Sequence, residues 1–182
     1  MYDKVFKDFK LKSKASSELL AKYEGLLPEE MLAVWRGYGF GTILDGYLKI
    51  INPDEYTDVL EMAYFRADVS VPIFVTAFGD IITWEKNEFI RQVKFNKGDF
   101  EAITGGFMFF WEDMENGDID EIYGRMDKYK AAVKRLGELA FDECFGYTPL
   151  LGLGGKEKVE NLEKVKTKVY IELITQMMGR IE

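Results

Sequence analysis

Three apolar runs follow one another in the middle of the chain, VPIFVTAF, DIITWE and EFIRQVKF, and they constrain the fold more than any other feature. They are rich in β-branched and aromatic residues, and the gaps between them, Gly79-Asp80 and Lys86-Asn87, are short enough for hairpins. The spacing predicts a three-stranded antiparallel meander from about Pro72 to Phe95. Asn96-Lys97-Gly98-Asp99 is the best breaker after it and divides the chain into two halves, 1–97 and 98–182.

Both flanks read as helical. Ser16 and Ser17 can cap a short helix through Tyr23, and LPEEMLAVWRGYGFG carries a stripe of Met31, Val34, Trp35 and Tyr38 before glycines stop it. YLKIIN reads as a strand. Asn52 then caps a helix with Tyr56, Val59, Leu60 and Ala63 on one side. In the second half, GFMFFWEDMENG places Phe107, Phe110, Trp111 and Met114 on one face, and its extra Met108 and Phe109 suggest burial all round or an exposed contact. Asp118 with Glu121 resembles a capping box for a longer helix reaching Leu136, and a last helix is expected from about Val165. The fold class is α+β: an antiparallel β-meander with flanking helices, in two intimately packed halves, the second mostly helical.

Composition excludes several kinds of chemistry. With 47% hydrophobic residues over 182 positions the chain can bury a real core. No run of about 18 apolar residues offers a membrane span, and the charged start MYDKVFKDFKLKSK lacks the apolar stretch of a signal peptide. A cytoplasmic protein without a membrane partner is expected, and a single cysteine agrees with a reducing compartment. There is no histidine, which removes the usual base of Ser and Cys hydrolases and the commonest ligand of transition-metal sites. The net charge of −8 repels nucleic acid and suits a cationic partner. It is uneven: residues 1–14 hold five Lys against two Asp, leaving −11 on the remainder. An acidic surface meant only for solubility has the same composition.

The segment LGELAFDECFGYTPLLGLGG, Leu136 to Gly155, holds five glycines and the only cysteine, and reads either as an active site or as architecture. As a phosphate loop it fails: Leu150 stands where the first P-loop glycine falls, and Glu157 replaces the magnesium-binding hydroxyl. Gly37, Gly39 and Gly41 fail the dinucleotide fingerprint at Thr42. Cys144 as a nucleophile needs a nearby cation, whereas its sequence neighbours are Asp142 and Glu143, so a buried inert thiol is expected. Adjacent acids such as Asp142/Glu143 or Glu112/Asp113 also suit acid/base work or a metal. The architectural reading covers more residues. Gly146 and Pro149 permit a turn, Leu150, Leu151 and Leu153 plug a core, and Glu143 fixes the loop by accepting backbone hydrogen bonds. No cofactor and no metal are expected.

The same segment, followed by KVENLEKVK and a terminal helix, resembles the C-terminal domain of bacterial type VI secretion immunity proteins. The likeness falls on Leu136, Gly137, Asp142, Glu143, Cys144, Gly146, Tyr147, Pro149, Leu153, Gly154, Gly155 and Glu160-Asn161-Leu162 with Lys164-Val165. LPEEMLAVWRGYGFGTILDGYLKIINPDEY is similar to the GAD-like domain that commonly precedes it, through Leu27-Pro28, Trp35, Tyr38-Gly39, Gly41, Asp45-Gly46, Asn52-Pro53 and Tyr56, with Gly79, Asp80 and Trp84 later. The family's closing segment often carries a histidine near Lys168-Val169-Tyr170, and this chain has none, so no role for that side chain transfers. The resemblance implies a GAD-like domain at 1–97 and a C-terminal immunity domain at 98–182. It also implies an antidote without catalytic activity that binds a cognate toxin, in several cases a DNase, and protects the producing cell.

Charge then suggests how. A nuclease presents a cationic cleft, and an acidic protein competes for it with carboxylates. The richest candidate surface is EDMENGDIDE, with Glu112, Asp113, Glu115, Asp118, Asp120 and Glu121 beside the aromatics of FMFFW; Asp54, Glu55, Asp58 and Glu61 form a second. An acidic inter-helix loop also caps the helix after it without any partner. Two other classes stand beside this reading: a carboxylate-based hydrolase or small-ligand-binding protein using a groove between the halves, and a scaffold module.

Overall fold

The computed structural model describes residues 2–182. Its centre is a seven-stranded antiparallel sheet in chain order: β1 (Lys10–Ser13), β2 (Phe40–Ile43), β3 (Leu48–Ile50), β4 (Ser70–Thr76), β5 (Ile81–Glu85), β6 (Phe89–Lys94) and β7 (Asp99–Gly105). The protein is α+β. β4 to β6 are the meander expected from the sequence. Lys86 and Asn87 both adopt left-handed φ, 53° and 54°, as a two-residue hairpin turn requires. β4 and β5 bury nearly every side chain, because helices cover both faces of the sheet.

On one face lie α1 (Asp3–Phe6), α2 (Ser17–Tyr23) and α3 (Glu29–Gly37), then α5 (Phe107–Asn116), α6 (Asp120–Tyr123) and α7 (Met126–Leu136); their Trp35, Trp111 and Tyr129 join Phe74, Phe78 and Ile82 in one core. On the other lie α4 (Thr57–Ala63) and α8 (Thr167–Met178), whose Val59, Leu60, Ile171 and Ile174 pack with Val75, Ile81 and Val93. Burying each such side chain contributes roughly 1.5–3 kcal/mol. Caps fall where the sequence puts them: Ser16 Oγ accepts from Leu19 N (3.2 Å) at the start of α2, and Asn52 Oδ1 from Asp54 N (3.1 Å) in the turn before α4.

The sheet is wider than the three strands the sequence makes obvious. β1, KLKS, is exposed at all four positions, so no alternation betrays it. β2 contains a glycine whose missing Cβ makes room for the Phe9 ring and Lys10 carbonyl, and β7 is exposed or half-exposed throughout. Such strands form because neighbours offer them a hydrogen-bonding edge, a non-local cause.

Two helix boundaries also differ from expectation. Asp118 and Glu121 do not cap a long helix. α6 opens at Ile119 with no side-chain cap, lasts one turn, and yields at Gly124-Arg125 before α7 begins. The break carries Arg125 inward, where its guanidinium pairs with the buried Asp80 carboxylate and lies 4.4 Å over the Phe78 ring. α8 starts at Thr167, since Val165 belongs to a second small sheet, β8 (Glu143–Tyr147) paired with β9 (Leu162–Lys166). The middle of β8 docks against the meander: Phe145 N donates to Ala77 O at 2.7 Å, within the β4–β5 turn.

Candidate interaction surface

The glycine-and-cysteine segment turns its chemistry inward. Cys144 is fully buried on β8 with Gly79 against its sulfur, and burial pushes its thiol up to about 12, the opposite of an activated nucleophile. Glu143 accepts from Ala140 N (2.9 Å) and has Lys166 nearby, while its main-chain carbonyl receives the Nζ of Lys49 from β3. Lys49 also donates to Ala140 O at 3.2 Å; burial lowers its ammonium to about 8. This lysine fastens the loop before β8 to the sheet.

Gly146 lies within β8 instead of forming the expected turn. A Cβ there would fall 2.7 Å from the Tyr170 ring of α8, whose hydroxyl accepts from Tyr147 N (2.7 Å) and donates to Asn96 (2.6 Å). The turn comes later, after the cis Thr148-Pro149 bond. There a Cβ on Gly155 would lie 2.0 Å from Pro149 O, and Gly154 has φ +87°. Gly137, at φ +85°, ends α7. Leu150 is buried as expected, but Leu153 is exposed, because its short helical turn faces outward.

The acidic stretch behaves in the opposite way. α5 buries Phe107, Phe110, Trp111 and Met114 at helical spacing; Phe110 stacks on Phe74 (5.5 Å) and Trp111 on Tyr2 (5.1 Å). The opposite face then must look outward. Met108 and Phe109 are each 53% exposed, one helical turn before Glu112 and Asp113. Gly117 ends the helix in the left-handed region; Asp118 follows on the connecting loop and Asp120 opens α6, both exposed.

Glu115 stands apart from the other acids. Its carboxylate accepts from Lys4 N (3.0 Å) and Val5 N (3.1 Å), holding the start of α1 against α5. Glu112, Asp113, Asp118, Asp120 and Glu121 take part in no ion pair and no side-chain hydrogen bond among the described residues; Glu112, Asp118 and Asp120 are exposed, and Asp113 and Glu121 are half-buried. The fold adds acids that sequence distance hides. Burial raises the Tyr2 hydroxyl and Glu30, Glu112 and Glu115 add to it; burial raises the Asp8 carboxyl, with Asp45 beside it. No local pattern reveals Glu30, Asp8 and Asp45, which α3, the segment between α1 and β1, and the β2–β3 connection bring in. The second acidic run is more engaged: Asp54 pairs with Lys22 (2.5 Å) and Asp58 with Lys168 (2.9 Å).

A groove of about 590 Å³ lies beside Tyr56, Phe141, Asp142 and Lys166, and a cavity of about 190 Å³ lies between Phe95–Gly98, Leu150–Gly152 and the end of α8. Among the described residues, no group of three or more Cys, Asp or Glu is placed to hold a metal ion, and no helix is long and apolar enough to cross a membrane.

The family model described as "GAD-like domain" matches residues 1–97, and the one described as "T6SS immunity protein Tdi1, C-terminal" matches residues 106–178. Among solved structures the chain is similar to that reported as "Crystal structure of Atu4351 from Agrobacterium tumefaciens", with a TM-score of 0.78 and 19% identity, covering 97% of this chain and 89% of that one. At that identity the likeness is one of fold. No curated protein matches the chain.

Proposed function

The chain belongs to the GAD-like domain family and carries the C-terminal domain of type VI secretion immunity protein Tdi1, and on that premise we propose that it binds a cognate toxin and neutralises it by covering a cationic substrate cleft, as a nuclease would present. The protein acts by occupation, in the cytoplasm of the cell that makes it, and transforms no substrate itself. One observation carries the reading. The outward face of α5 sets two half-exposed apolar side chains, Met108 and Phe109, beside acids that the fold does not use, Glu112, Asp113, Asp118, Asp120 and Glu121.

That combination suits protein recognition. Carboxylates without internal partners steer a basic partner and meet its cations, while the Met and Phe side chains supply area to desolvate at the centre of contact. Glu115 supports the surface from behind, since it holds α1 in place and is spent there. The inward engagement of Cys144 and Glu143 supports the same reading, because neither is presented to a substrate.

Co-expression with the toxin encoded beside this chain tests the proposal. Protection of the host and a stable complex are expected; toxicity unchanged by this chain, with no complex formed, would sink it.

A further inference from the structure

The two edges of the sheet are defended differently. β1 is four residues long and carries Lys10 and Lys12, all side chains exposed. Lysine on an edge strand discourages strand addition, because a second strand would have to cover its ammonium group. β7 is seven residues, DFEAITG, with neither lysine nor proline. Among the described residues no backbone hydrogen bond joins β7 to anything beyond β6.

The Phe100 N–H donates to the carboxylate of its own neighbour, Asp99 (2.8 Å), which places that amide on the side away from β6. By the two-residue period of a strand, exposed Ala102 presents the next outward amide. Among the described residues, the helices near this rim lie over its faces. Phe107 turns α5 onto one face, against Trp84 (5.1 Å), and Tyr64 and Phe65 pack on Phe100 from the other (5.4 and 5.6 Å).

Charge at the rim is unbalanced. Its cations have internal partners: Lys94 with Glu101, Lys97 with Glu157 (3.3 Å), Arg125 with Asp80, while Arg66 and Arg91, over the Phe65 and Phe100 rings, share the buried Glu85. Asp120 and Glu121 border the same cleft as Lys94 and Glu101 and enter no ion pair, and Asp99 meets only a backbone amide. β7 also runs through Gly106 directly into α5, so the edge and the Met108–Phe109 face are continuous along the chain.

We infer that β7 is a docking edge, to which the toxin adds an extended strand bearing Lys or Arg, its backbone pairing with Phe100 and Ala102 and its cations meeting Asp99, Asp120 and Glu121. This rests on the toxin-binding reading above and names the element that the partner offers. Main-chain bonds supply affinity and the flanking acids select a basic strand.

Hydrogen exchange of the full chain, alone and with the toxin encoded beside it, reads this directly. The Phe100 and Ala102 amides slow by about tenfold or more in the complex. Ala102→Pro removes an outward N–H, keeps the ladder with β6, and weakens toxin affinity by about tenfold or more with the unfolding midpoint nearly unchanged. Should that variant not fold, Ala102→Lys, which gives β7 the guard that β1 carries, shows the same loss. A complex that forms with β7 amides unprotected, and with either folded variant at wild-type affinity, overturns strand addition while leaving toxin binding standing. Failure of the wild-type chain to form any complex overturns both.

Discussion

The segment from Gly137 to Gly155 and the segment from Met108 to Glu121 both mix acids with apolar side chains, yet they face in opposite directions. In the first, Cys144 is buried, Glu143 is held by a backbone amide and by Lys49, and three glycines, Gly146, Gly152 and Gly155, stand where a Cβ would come within 3.0 Å of another atom. In the second, one acid, Glu115, ties α1 down and five find no partner among the described residues. A motif that stands out in sequence for its glycines and cysteine is here a packing device. The surface with spare chemistry is made of ordinary acids. Unused hydrogen-bonding capacity on a rigid element, more than unusual composition, is what sets the proposed toxin-binding surface apart.

The comparison breaks most readily at Gly155. Gly155→Ala sets a Cβ within 2.0 Å of Pro149 O, and the turn must open. A loss of about 4 kcal/mol in urea unfolding is expected; a variant as stable as wild type would mean that the segment is looser than its contacts imply. Next comes the joint between the halves. Arg125→Leu strands the Asp80 carboxylate, buried beside Gln92 (2.8 Å), and costs about 3 kcal/mol in the same measurement.

Glu115 divides the acidic stretch from within. Glu115→Ala removes both bonds at the start of α1 and lowers stability by about 1–2 kcal/mol, with the Tyr2 and Phe6 environment disturbed in aromatic NMR. Substitution of Glu112 or Asp118 by Ala changes stability by less than about 0.5 kcal/mol. Equal losses at all three positions would erase the distinction.

Lys49 and Cys144 give the inward segment a signature in pH. The Lys49 ammonium titrates near 8 in the fold, below its ordinary 10.5, so between those values the unfolded chain binds more protons and stability rises with pH. The Cys144 thiol moves the other way, from 9.0 to about 12, so its contribution is intact below pH 9 and is lost as pH rises beyond it. Together they give a gain of about 0.5 kcal/mol from pH 8 to 9 that then flattens. Above about pH 10 stability falls, because burial raises tyrosines such as Tyr47 and Tyr56. Lys49→Met should abolish the rise in urea unfolding profiles; its persistence in that variant would assign it elsewhere.

Much of this was legible in the sequence where the cause is local. The Lys86-Asn87 hairpin, the Ser16 cap and the buried stripe of α5 follow from turn chemistry and helical period. β1 and β7 were not, since strands at a sheet's rim carry no inward-facing set to alternate. The kink at Gly124-Arg125 was hidden for a related reason: Arg125 leaves the helical line to reach Asp80, 45 residues back, and periodicity holds no trace of that pull. On the candidate surface the acids of residues 112–121 were visible as a run, but nothing local separates Glu115 from its neighbours. That required α1, whose backbone amides select it.

The most direct test neutralises the five outward acids together, as Glu112→Gln, Asp113→Asn, Asp118→Asn, Asp120→Asn and Glu121→Gln, and measures affinity for the toxin encoded beside this chain at several salt concentrations. An unfolding midpoint close to wild type, affinity weakened by about a hundredfold at low salt, and a shallower dependence on salt are expected. Unchanged affinity with an unchanged salt dependence would contradict that expectation, and would move recognition away from the outward face of α5.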